Sequence, residues 1–177
     1  SAGSSTLIDI NYHVYKNNYG DSEFGEFRRL ARDLGFLFSA THSLVMPLER
    51  VLDYCEGNPS QQTIALESNH LTIPIAEAIA ITNEGNPITG ACPFKEFQVN
   101  INCDLTVPVC CTTFDRHDQS FVLNYLESDL TEIEKMKVAA PVCEKCLKYR
   151  LPAYNLGLNK AELNRAAQDL YPDFPEL

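Results

Sequence analysis

The sequence predicts an α/β chain in two parts: the end of a parallel β/α barrel, followed by a small α+β unit built on a β-hairpin and helices. Three observations predict it. Residues 6–40 switch from strand-like to helix-like periodicity and back, the order of one parallel crossover unit. The stretch Asn86-Pro87-Ile88-Thr89-Gly90 reads as a linker, which places a boundary between 1–90 and 91–177. Beyond Cys92 the apolar period drops to two and cysteines accumulate.

Taken in order, Thr6 to Tyr15 is rich in β-branched and aromatic residues and reads as a strand. Asp21 or Ser22 is placed to cap a helix in which Phe24, Phe27, Leu30, Ala31 and Leu34 form the apolar stripe, with Gly35 ending it. Phe36 to Ala40 is the second strand, so the pair is expected to be parallel with a right-handed crossover. Pro47 opens a short helix carrying Leu48, Val51, Leu52 and Cys55 and closing at Gly57. Residues 58–69 are polar and read as a loop; Thr72 or Pro74 starts another helix, which Gly85 stops.

In the second part, Phe97, Val99 and Ile101 alternate with polar residues, and Thr106 to Val109 is expected to return antiparallel after a tight turn at Asn102-Cys103-Asp104-Leu105. Pro108 makes that return an edge strand. Residues 115–120 form a polar loop, Ser128 or Asp129 caps a helix to Lys137, and Ala139-Ala140-Pro141 breaks it before a Cys143-Glu144-Lys145-Cys146 knuckle. Asn159 and Glu162 resemble a capping box for a last helix with Leu163, Ala166, Ala167 and Leu170.

The chain has 177 residues, enough for one sizeable core or two small ones. A formal charge of −10 gives an averaged field that repels phosphate backbones and anionic membranes, which argues against nucleic acid as partner. No run approaches the roughly 18 apolar residues of a membrane helix, and Ser1 to Ser5 lacks the character of a signal peptide. The expectation is a cytoplasmic protein without a membrane partner. Seven cysteines in that setting argue for metal or redox chemistry over disulfides.

A CxxC pair brings two thiolates to one centre, and Cys92 and Cys110, expected at the two ends of the hairpin, supply a second pair. Four thiolates suit Zn²⁺ or an iron–sulfur cluster. Paired ligands of this kind are common in structural zinc sites, although both pairs of a zinc ribbon are usually tight CxxC turns. His117 is a candidate substitute ligand, weighed against a solvated loop histidine between Asp115 and Asp118; Cys111 and Cys103 are further candidates, and Cys55 reads as core. His13 reads as a partly packed strand residue. His42 and His70 read as loop histidines without a nucleophile or paired carboxylate, so no catalytic residue is assigned.

These residues resemble a family. Cys92-Pro93-Phe94, a turn near Asp104, Val107-Pro108-Val109-Cys110-Cys111, a helix and then Cys143-Glu144-Lys145-Cys146 are similar to the C-terminal auxiliary-cluster region of radical S-adenosylmethionine (radical SAM) enzymes, in the shortened, four-cysteine "twitch" form of the SPASM region. Leu105 stands where the family pattern has a turn glycine. Upstream, NYHVYKNN, FRRLARDLGFLFSA and MPLERVLDY look like the last elements of a partial (β/α)6 TIM-like barrel, so the similar segments cover about Leu7 to Leu147.

The resemblance implies that Cys92, Cys110, Cys143 and Cys146 bind an auxiliary [4Fe–4S] cluster serving electron transfer or substrate positioning, with zinc as the alternative, or as a substitute in aerobic preparations. The family's CxxxCxxC motif is absent from the chain. S-adenosylmethionine is therefore expected only in a complete enzyme, whose missing barrel portion comes from a longer chain or a separate subunit and whose substrate is a peptide or a small molecule. The rival from another class is a zinc-stabilised binding or scaffold module without a redox role.

Overall fold

A computed structural model describes residues 7–85, 88, 92–113 and 122–177. The expected crossover unit is present. Strand β1 (Asp9–Val14) pairs in parallel with β2 (Leu37–His42), from Asp9 opposite Leu37 to Val14 opposite His42, with helix α1 (Asp21–Asp33) between them. Gly35, at φ 71°, ends α1 in the left-handed conformation that only glycine adopts freely, and the Phe36 N–H reaches back to the Ala31 carbonyl at 2.8 Å.

Only part of the α1 stripe is buried. Phe24 and Ala31 are in the core, where Phe24 and Phe38 pack on Tyr12, whereas Phe27, Leu30 and Leu34 remain exposed. Adjacent strands lie only about 4.8 Å apart, so a two-stranded sheet is narrower than the apolar face of this helix.

Helix α2 (Leu48–Cys55) follows Pro47 and buries Leu48, Val51 and Leu52, as its spacing predicts. Residues 58–69, expected to be a loop, contain helix α3 (Gln61–His70), whose first turn is capped by Ser60 Oγ accepting from the Thr63 N–H at 3.1 Å. It buries only Thr63 and so carries no apolar stripe for periodicity to detect. Helix α4 (Ile75–Asn83) then runs as expected, and the linker residues 86, 87, 89 and 90 lie outside the described residues.

The second part differs from expectation. Residues 93–97 form helix α5 (Pro93–Phe97), and the strand expected through Phe97, Val99 and Ile101 is absent among the described residues; Phe97 is 85% exposed. Pro93 at the first helical position favours that short helix over a strand. The tight turn is present: the Leu105 N–H donates to the Asn102 carbonyl and the Asn102 N–H to the Thr106 carbonyl, both at 2.9 Å. Strand β3 (Thr106–Val107) pairs antiparallel with β4 (Leu123–Asn124), not with residues 97–101. The loop expected at 115–120 lies outside the described residues.

Helix α6 (Leu130–Ala139) starts at a complete capping box between Asp129 and Glu132. Pro141 ends that helix and opens the next, α7 (Pro141–Lys148), which leads into α8 (Leu151–Asn155) and α9 (Lys160–Leu170). The Asn159 side chain does not cap α9. Its Nδ2 donates to the Ile81 and Glu84 carbonyls at 2.7 and 2.8 Å, tying α9 to the end of α4.

Two apolar clusters result. The main one joins Tyr12, Val14, Val51, Ile75 and their neighbours to Cys146, Leu151, Tyr154, Leu163 and Phe174, so the packing crosses the boundary expected near residue 90. The second gathers Val107, Val109, Ile133, Met136 and Ala140, with Cys110 and Cys143 packed against it. Val142 touches both. Among the described residues, no helix is long and apolar enough to cross a membrane.

Candidate metal centre

The four cysteines singled out by sequence line a single pocket at the seam between the two clusters. Cys92, Cys110, Cys143 and Cys146 share it with Leu48, Phe94, Lys95, Val109, Val142, Leu147 and Asn155. They arrive from three segments. Cys92 is the residue immediately before α5, Cys110 follows β3, and Cys143 and Cys146 lie three apart on α7.

The CxxC pair is therefore on a helix and not in the expected knuckle. Spacing of three on an α-helix keeps both side chains on one face, so the pair still presents its thiols together. Pro141 removes one N–H that the helix start would leave without a partner, and the start of α7 directs a positive dipole end toward Cys143.

All seven cysteines are free thiols. Burial raises the pKa of Cys146 and Cys143; the other thiols of the pocket push both further up, and for Cys143 the Lys95 and Lys137 ammonium groups oppose the rise. Raised in this way, the Cys143 and Cys146 thiols are held protonated and neutral, so the CxxC pair has no charge to draw a partner inward. Among the described residues, no three His, Cys, Asp or Glu side chains are arranged to hold a metal ion. The sulfurs thus share a cavity without forming a ligand cluster. As a donor set of four soft thiols in a mostly apolar pocket, they suit a soft metal that displaces their protons and draws them inward.

The remaining candidates separate cleanly. Cys111 is pushed up to about 11 by burial and by the neighbouring Cys110 thiol, and its Sγ donates to Gln98 Oε1 at 3.6 Å. Cys103 is exposed in the turn, and Cys55 packs on the main cluster, as expected of a core residue. His117 lies outside the described residues. His13 is exposed, not partly packed, and His70 is exposed at the end of α3. His42 ends β2 and is buried, stacked on Phe174 at 5.3 Å with Nδ1 3.1 Å from Thr72 Oγ1; burial lowers its pKa to about 4.

Two residues near the site were not legible as functional in the sequence. Asn155 lines the pocket with its Oδ1 buried and without a hydrogen-bond partner. Lys137, read from sequence only as the end of a helix, is only 2% exposed. One signal could have found it: Lys137 follows Ile133 by four, on the stripe that Ile133, Met136 and Ala140 bury.

No family model, no curated protein and no solved structure matches this chain.

Proposed function

We propose that Cys92, Cys110, Cys143 and Cys146 hold an auxiliary [4Fe–4S] cluster, and that the chain is the C-terminal part of a radical SAM enzyme. The observation that carries the reading is the gathering of these four cysteines, from three separate segments, around one pocket. A cluster with four thiolate ligands supplies one-electron transfer and leaves no iron position open to substrate. The chain's own residues would enclose it: Leu48, Val109 and Val142 exclude water, and Asn155 offers a polar atom at the wall.

The parallel pair β1–β2 supports the barrel half of the reading. Two-stranded parallel sheets are rarely stable alone, and this one is bordered by exposed Leu7, Ile8, Phe27, Leu30, Leu34 and Leu37. Further strands from a missing N-terminal portion or a separate subunit would cover that rim and bring the cluster that cleaves S-adenosylmethionine. On this reading the chain is not active alone, works in the cytoplasm, and serves the radical modification of a peptide or small molecule.

A second reading, a zinc-stabilised four-cysteine module without a redox role, is favoured by the position of the pocket. It lies at the seam of the two clusters, where a closed metal site would staple them. Anaerobic purification and reconstitution with iron and sulfide, followed by metal, sulfide and visible-absorption analysis, separates the two. Iron and sulfide in equal amounts with a broad visible absorption supports the cluster; a colourless protein with about one zinc per chain after that treatment rejects it.

A further inference from the structure

Lys137 is the most deeply buried cation among the described residues, and it bonds to Phe94, which lines the cysteine pocket. Its ammonium donates to the Phe94 carbonyl at 3.5 Å and to the Gln98 carbonyl, both on the segment that follows Cys92. These acceptors satisfy N–H groups but carry no charge. No carboxylate among the described residues pairs with Lys137. A buried ammonium without a counter-charge is costly, so it persists where a negative charge accompanies it.

The thiol set is a source of such charge once its protons are displaced by a metal. Both Lys137 and Lys95 act electrostatically on Cys143, and Lys95 itself lines the pocket. Four thiolates around a divalent ion, or around a cluster of the same charge, leave the centre net negative. We infer that Lys137, assisted by Lys95, is the built-in counter-cation of a tetrathiolate centre on Cys92, Cys110, Cys143 and Cys146. It is a charge-balancing residue, not a ligand. The inference rests on the metal reading above and assigns that site its electrostatic partner.

The test is zinc binding by the reduced full chain, measured anaerobically by competition with a chromophoric chelator, for the wild type, Lys137→Gln and Lys95→Gln. Glutamine keeps a donor for the two carbonyls and removes the charge. The expected result is zinc affinity lowered roughly 10- to 100-fold in Lys137→Gln, the size of effect that residues supporting metal ligands produce, and by a smaller factor in Lys95→Gln. The zinc-free Lys137→Gln protein should melt at or above the wild-type temperature, because a buried charge has been removed. Affinities equal to wild type in both variants overturn the inference while leaving the metal site standing. A zinc-free Lys137→Gln protein that melts well below the wild type makes the lysine a strut for the two carbonyls and also overturns it. A wild type that takes up neither zinc nor, on anaerobic reconstitution, iron and sulfide refutes the metal reading itself.

Discussion

Leu105 adopts φ 65°, the left-handed region that favours glycine, directly after the tight turn that precedes β3. A leucine held in that region carries strain of about 1 kcal/mol. Leu105→Gly is therefore expected to raise stability by up to about 1 kcal/mol, and Leu105→Val to lower it by a similar amount; thermal melts of the two variants check this. His42 gives a second residue-scale prediction. Its folded-state pKa of about 4 lies below the unfolded value near 6.5, so its contribution is complete above about pH 6.5 and is lost as pH falls toward 4. The loss amounts to roughly 3 kcal/mol at most, and His42→Gln should flatten that part of the stability profile. Denaturation of both proteins between pH 4 and 7 measures it, and parallel curves would contradict it. That Cys92, Cys110, Cys143 and Cys146 belong around one pocket could be suspected from sequence because cysteine is rare and the CxxC spacing constrained. The environments of His42 and Lys137 could not, since burial depends on which distant segments cover a residue.

At the scale of elements, the crossover unit was legible because strand and helix periods alternate over a short, uninterrupted stretch, and Gly35 marks its turn. Helix α3 was not, because a helix that buries only Thr63 has no apolar period; its stability rests on the Ser60 cap and on neighbours. The alternation of Phe97, Val99 and Ile101 suggested a strand, but all three are exposed and Pro93 starts a helix instead. Helix α6 was bounded correctly at its start by Asp129. That cap supports the helix carrying Lys137: Asp129→Ala should cost about 1 kcal/mol in denaturant melts, and Glu132→Ala less than that.

For the whole molecule, the main apolar cluster spans both halves of the chain, and one buried hydrogen bond reports on their union. The Tyr154 hydroxyl accepts from the Val45 N–H at 2.9 Å, joining α8 to the segment after β2. Tyr154→Phe leaves that N–H without an acceptor and should destabilise the protein by about 1–3 kcal/mol, with a single unfolding transition retained. Two separated transitions would show that the halves fold independently. The linker near residue 88 suggested a division from composition alone. The helices that return across it bury their apolar faces on the first half, and that return is invisible to local pattern.

The central claim is that one centre is built from four particular cysteines. It is tested most directly by reconstituting the wild type and single serine variants anaerobically with iron and sulfide, then measuring bound metal and visible absorption. The account predicts that Cys92→Ser, Cys110→Ser, Cys143→Ser and Cys146→Ser each lose or alter the centre, whereas Cys55→Ser and Cys103→Ser retain it. A wild type that binds no metal, or a centre that survives unchanged in all four variants, would contradict it.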